Sequence, residues 1–298
     1  MALDYQQVAF FLSWFLTARG KKITLCLDRT EWDFGKCQVN ILMVTARQGA
    51  VSVPLYWELL DNKSGNSSSE DRIELMKKCV ELLGVKRIGL VIGDREFVGL
   101  KWLKWLKSNG ILFCMRMPRH HLIQMEDGRV QTAEQALGDR QEVRLEGVMV
   151  DGVWANVFIR RLKDGDLLYL LGTAQCKFLG QLYRKRWTIE CCFQALKKRG
   201  FDLEDTHLKC LEKLKKLVAL VSIAYAFCHN LGIYNDLKIK KIPVKNHGYM
   251  ANSFFRNGLD SVRQNCKKEW KEDIGKWQHL LRLFFRWAAP FAIQPASG

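Results

Sequence analysis

Six side chains in this sequence have the types and spacing for chemistry on a phosphate. Four of them lie in one stretch, Tyr183 to Lys197, which reads YRKRWTIECCFQALK. Tyr183, Arg186, Glu190 and Lys197 stand at offsets 0, 3, 7 and 14. At about 100° per helical residue those offsets fall within an arc of roughly 60°. A helix here therefore lines a phenol, a guanidinium, a carboxylate and an ammonium along one stripe. Trp187, Ile189, Phe193 and Leu196 are read as the other, burying side. The stripe suits a phosphate-handling site. It suits equally a solvated helix face with an ordinary Arg186–Glu190 pair four residues apart.

The other two are Asp28 and Asp94. Each closes an apolar run, Ile23–Leu27 and, through Gly93, Arg87–Ile92, and each is followed by Arg. Strand ends are where an α/β sheet presents chemistry to solvent. Two strand-end aspartates and one helix glutamate can converge into an oxygen-rich site, which suits Mg²⁺. Two such ions about 4 Å apart activate a water and stabilise the leaving oxygen of a phosphodiester. Local readings stand beside this one. Asp28 could cap the turn from Thr30 to Gly35, and Asp94 could be the N-cap of the helix from Phe97. Asp33 and Glu96 are read as bystanders making surface pairs.

The elements that must position these groups follow from periodicity and turn residues. A helix is expected over residues 4–19, then three strands joined by Gly-containing turns as a meander. A helix from Glu70 to Leu83, a strand from Arg87 to Ile92, a helix from Phe97 to Ser108 and a strand from Ile111 to Met117 complete a β-β-β-α-β-α-β order. Residues 119–177 alternate in strand fashion, with Asp151-Gly152 and Asp164-Gly165 as hairpin turns. One continuous helix is expected from Lys177 to Arg199. Further helices are expected over Lys209–His229, Phe254–Asn265 and Trp270–Trp287.

Composition narrows the partner. With 47 Lys and Arg against 31 Asp and Glu, the net charge is +16 over 298 residues, which points to a polyanion and most simply to nucleic acid. None of the ten cysteines forms a C-x-x-C pair and the six histidines show no metal spacing, so buried reduced thiols are expected rather than disulfides or zinc. The apolar runs Val8–Thr17 and Leu217–Cys228 are both short of a bilayer span, and the first lacks a basic flank. A cytoplasmic protein with no membrane partner is expected.

Taken together, these motifs resemble the DDE transposases of the insertion-sequence IS-four family. Leu27 to Gly35 (LDRTEWDFG) is similar to the family's first Asp motif and Ile92 to Gly99 (IGDREFVG) to its second. Tyr183, Arg186, Glu190 and Lys197 fit the YREK signature, Y-x2-R-x3-E-x6-K, without a gap, and Gly200 to His207 (GFDLEDTH) follows the same pattern. The resemblance implies an α/β protein with an RNase H-like catalytic core, a β-rich insertion and a helical C-terminal region. The corresponding division is 1–118, 119–177 and 178–298. It implies that Asp28, Asp94 and Glu190 are catalytic and hold two divalent ions, Mg²⁺ with Mn²⁺ as a substitute. Tyr183, Arg186 and Lys197 would contact phosphates near the element's terminus. Water and then a 3′-hydroxyl would attack phosphodiesters. Transposon ends and target DNA are the implied partners, joined by a homodimer, in a bacterial cytoplasm and on the nucleoid when DNA-bound. Trp154 is read either as core or as a base-stacking residue. Family members carry a further N-terminal segment for end recognition. With the first Asp already at position 28, that segment is expected to be lacking here. The chain is then either a catalytic domain or a non-transposing copy that binds DNA or full-length transposase and inhibits. A host RNase H-like nuclease is a third reading, disfavoured because a plain nuclease needs no such stripe.

Overall fold

The computed structural model describes residues 3–267, apart from 17–20, 35–36, 61–64, 207, 209 and 247. The helix expected over Trp270–Trp287 lies outside them. The chain opens with α1 (Tyr5–Ser13), whose N-cap Asp4 accepts from the backbone N–H groups of Gln6 and Gln7. Three strands follow: β1 (Ile23–Phe34), β2 (Cys37–Gln48) and β3 (Val51–Leu60). Next come α2 (Ser69–Leu83), β4 (Ile88–Gly93), α3 (Leu100–Ser108) and β5 (Phe113–Arg116), the order expected from the periodicity. A capping box between Ser68 and Asp71 starts α2 inside what reads as a Ser/Asn-rich loop.

All ten strands form one sheet, β3-β2-β1-β4-β5 continuing into β10 (Leu167–Gly172), β9 (Val153–Arg161), β8 (Glu142–Val150), β6 (Ile123–Gln124) and β7 (Val130–Gln131). β1, β4 and β5 run parallel, and both flanks are antiparallel. β1 buries Ile23, Leu25 and Leu27 and also Thr24 and Cys26, as a strand covered on both faces must. The segment 119–177, with the short α4 (Ala133–Leu137), is thus continuous with the core sheet, through the pairing of Leu170 with Arg116 and Gly172 with Cys114.

β1 differs from the expectation that it ends at Asp28. It runs on to Phe34, paired with β2 throughout. The reason is a period-two alternation. Thr30 and Trp32 are buried, with the indole N–H donating to Thr30 Oγ1 at 3.0 Å, while Arg29 and Glu31 stay partly exposed. What ends at Asp28 is the parallel pairing, whose last partners are Leu27 and Gly93.

Four longer helices follow among the described residues: α5 (Cys176–Tyr183), α6 (Trp187–Lys197), α7 (Leu211–Lys238) and α8 (Phe254–Lys267). At 28 residues, α7 outlasts the apolar stretch read from the sequence and is long and apolar enough to cross a membrane by length and composition; half of its apolar window is buried inside this fold. α7 and α8 approach backbone to backbone where Gly232 and Gly258 face each other. Among the described residues the cysteines are free thiols, most of them buried; burial pushes the Cys26 thiol up to about 11.

Candidate active site

The strand register sets a row of functional groups. Leu27 lies beside Gly93, and Gly93 beside Met115. The next residues are therefore Asp28, Asp94 and Arg116, in line at the carboxyl end of the three parallel strands. Arg116 was passed over in the sequence, although it closes an apolar run as the aspartates do.

Glu190 reaches this row from the first turn of α6. The continuous helix expected from Lys177 to Arg199 is instead two helices, joined by a 3-10 turn over Arg184–Arg186. The turn carries Arg186 into the row. Its Nη1 lies 3.1 Å from Asp28 Oδ2 and 3.6 Å from Asp94 Oδ2, and its Nη2 donates to Glu190 Oε1. Tyr183 OH donates to Asp94 Oδ1 at 3.0 Å, and the Tyr183 ring lies 5.4 Å from the guanidinium. Five of the six candidate residues thus meet at one point. Lys197 does not join them. Its ammonium donates to the carbonyl of Glu31 and stands 3.5 Å from Glu204.

The local readings of the two aspartates are overturned. Asp28 lies within a strand and accepts from the Arg29 N–H at 2.8 Å. The helix after Asp94 is capped by Gly99, and Asp94 instead opens a turn in which the Phe97 N–H donates to its carbonyl. Glu96 is no surface bystander. It is mostly buried, pairs with Arg29 at 3.0 Å and accepts from Ser67 Oγ at 3.2 Å, bracing the loop after β4 against β1. The side chain of Asp33 lies outside the described residues. Trp187, expected to bury, is 59% exposed beside the site, and Trp154 is also exposed.

A second brace holds the loop that carries Asp94. Arg72 of α2 is buried and donates to Ser67 Oγ at 2.8 Å, to the Ser67 carbonyl and to the Val98 carbonyl at 3.0 Å, over the Phe97 ring. Arg72→Met leaves those acceptors unpaired in the interior. The expected cost is about 2–4 kcal/mol, read as a lowered midpoint in urea unfolding with an unchanged slope.

Burial dominates the electrostatics. It pushes the Asp28 carboxyl up to about 6, although the Arg29 N–H and Arg186 pull it down. Tyr183 is pushed up by burial and then by Asp94. Arg186 is also buried, but Tyr183 and the three carboxylates outweigh that and hold it firmly charged. Three carboxylates on one guanidinium are a hard-oxygen donor set of the type that suits Mg²⁺ or Mn²⁺. With Arg186 between them, no three Asp, Glu, His or Cys among the described residues stand close enough together to hold a metal ion.

Beside Asp94 lies a cluster of three arginines on one carboxylate. Asp166 binds Arg95 at 2.7 Å, Arg116 at 3.1 Å and Arg119 Nε at 2.8 Å. The Arg119 hydrogen bond foremost holds the Asp166 carboxyl well below the usual range. Arg119 also stands 3.6 Å from Glu134, so the cluster keeps a net positive charge, and Arg116 Nε is buried with no hydrogen-bond partner among the described residues.

A mixed α/β sheet with acidic side chains gathered at the carboxyl end of its parallel strands defines a class of domain rather than one activity. The chain belongs to the transposase DDE domain family, whose pattern matches residues 64–227, more than half of the chain. That span contains Asp94, Tyr183, Arg186, Glu190 and Lys197; Asp28 precedes it. No curated protein matches the chain in sequence. A solved structure, the cryo-EM synaptic complex of piggyBac transposase with hairpin DNA, is similar at 12% identity with a TM-score of 0.48. The similarity covers 96% of this chain and 62% of that one, and is too distant to transfer residue roles.

Proposed function

We propose that this chain is the RNase H-like catalytic domain of a DNA transposase of the IS-four, YREK-signature type, and that it cuts and joins DNA strands at Asp28, Asp94 and Glu190. The observation that carries this is the meeting of those three carboxylates, from β1, β4 and α6, on one guanidinium. Family membership fixes the broad class, and the net charge of +16 suits a DNA partner. Asp28, Asp94 and Glu190 would hold two divalent ions, Mg²⁺ or Mn²⁺, which supply an activated nucleophile and a counter-charge for the leaving oxygen.

The chain's own residues do the rest. Asp28 and Asp94 stand side by side because the parallel register places them there, so the reacting phosphate is positioned by rigid strands. Tyr183 orients Asp94 through its hydrogen bond. Arg186, with the planar fork that matches phosphate oxygens, would take a phosphate next to the cut. Arg116, Arg95 and Arg119 line the same edge and extend the positive surface along the backbone. Lys197, beyond the carboxylates on β1, would hold a phosphate further along the strand. Transposon ends and target DNA are the substrates, and a homodimer would join two ends.

The test is nicking of supercoiled plasmid by the purified chain. With Mn²⁺ or Mg²⁺ open circles should accumulate, and EDTA should stop them. Tight DNA binding without nicking in either metal would instead support a non-catalytic, inhibitory copy.

A further inference from the structure

Arg186 is paired in a way unusual for an arginine that contacts DNA. Its two terminal nitrogens are spent on Asp28, Asp94 and Glu190, while its Nε is buried with no hydrogen-bond partner among the described residues. A guanidinium built only for structure would have all its N–H groups paired. It also sits where the three carboxylates converge, the place a divalent cation would have to take.

We propose that Arg186 is a latch that couples DNA binding to metal loading. In the DNA-free protein its guanidinium pairs with the three carboxylates and competes with divalent cations. A DNA phosphate at the site draws it away, and the carboxylates are then free to take metal. This rests on the reading of Asp28, Asp94 and Glu190 as metal ligands. Two features make the exchange physically economical. The Arg186–Glu190 pair spans one helical turn, so the side chain leaves by rotating about its own bonds while α6 stays in place. Tyr183 remains bound to Asp94 and keeps that carboxylate oriented when the arginine departs. The consequence is a nuclease centre that stays empty of metal until DNA is bound.

Thermodynamic coupling makes this measurable. If most of the free protein is latched, its apparent metal affinity is reduced by the unlatched fraction. DNA and metal must then strengthen each other's binding by the same factor. Mn²⁺ binding to the full chain would be followed by the loss of free-Mn²⁺ electron paramagnetic resonance signal, with and without a short duplex, using the duplex alone as baseline. Arg186→Gln should bind Mn²⁺ on the order of tenfold tighter than the natural protein without DNA. The duplex should tighten Mn²⁺ binding to the natural protein by a similar factor and leave that of Arg186→Gln unchanged. Equal Mn²⁺ affinity in both proteins, or an equal effect of duplex on both, overturns the latch. Arg186→Lys covers a failure of the first variant to fold. A single ammonium cannot bridge three carboxylates in a fork, so its Mn²⁺ affinity should rise several-fold, and no rise overturns the latch. Asp94→Asn separates the two levels of the argument. If it binds Mn²⁺ like the natural protein, the carboxylate reading itself fails. If it loses Mn²⁺ while the Arg186 variants do not change, only the latch fails.

Discussion

Asp94→Ala should lower metal-dependent nicking by at least about 10³-fold while leaving the protein folded. The size follows from what the residue does in the structure. Changing partners in the outer shell of a metal site already costs roughly 10–100-fold, and Asp94 is placed to be a direct ligand. It is also the carboxylate that Tyr183 orients at 3.0 Å, so its removal takes away both a donor and the group that fixes its neighbour. Stability should change little, because Asp94 lies in a turn at the edge of the sheet and Arg186 keeps Asp28 and Glu190 as partners. The checks are plasmid nicking with Mn²⁺ on variant and natural protein purified side by side, and thermal melting of both. Equal nicking by the two would remove Asp94 from the chemistry.

A second large effect on stability is expected far from the carboxylates, at the crossing of α7 and α8. A β-carbon on Gly232 would lie 1.8 Å from the carbonyl oxygen of Phe254, and one on Gly258 would lie 1.8 Å from that of Cys228. Both obstacles are backbone, so no rotamer change relieves them. The two helices would have to separate, giving up the packing of Tyr225 on Phe255 at 5.1 Å and the Asn235 bonds to Asn257 and Ser261. Gly232→Ala or Gly258→Ala should therefore cost on the order of 3 kcal/mol, a large overpacking penalty. For a chain of this size that lowers the melting temperature by about 5 °C. The change runs against helix propensity, since Ala is favoured over Gly inside an exposed helix by about 1 kcal/mol. A raised melting temperature would mean that the helices do not cross at these glycines.

The convergence of the candidate residues was legible in the sequence because two of them are acids that follow apolar runs. Asp28 and Asp94 were visible as acids closing apolar runs. The parallel register places them in line, and Arg186 holds both together with Glu190. Arg116 stands at the matching place at the end of β5, but as a base it gives no signal to a pattern of acids. Asp28 was placed at a strand end when only its parallel partner ends there; the alternation of Arg29, Thr30, Glu31 and Trp32 was already that of a strand. The break in the YREK helix had no signal of this kind. No Gly or Pro stands between Tyr183 and Trp187, and a 3-10 turn advances about 120° per residue where an α-helix advances about 100°. Trp187 was misassigned for a simpler reason. Four residues after Tyr183 it falls at about 40° on an ideal helix, beside the polar stripe rather than opposite it. The mutual approach of Gly232 and Gly258 was out of reach of the sequence, since it depends on two helices finding each other across more than twenty residues.

The antiparallel join between β5 and β10 has a consequence for how such a protein can diversify. The chain leaves the central sheet after Arg116 and returns to it at Leu170, directly alongside, before turning into the helices that carry Glu190. Everything between those two points is an outgrowth from a fixed seam, whose Asp164-Gly165 turn is tied to the site edge through Asp166 and whose Asp151-Gly152 turn is tied instead to His121. Hairpins can therefore be lengthened, traded or decorated there, one ladder at a time, without altering the spacing between the second acid and the third. The same arrangement offers protein engineers a graft point: a foreign binding module spliced into the Asp151-Gly152 turn would travel with the three-carboxylate site.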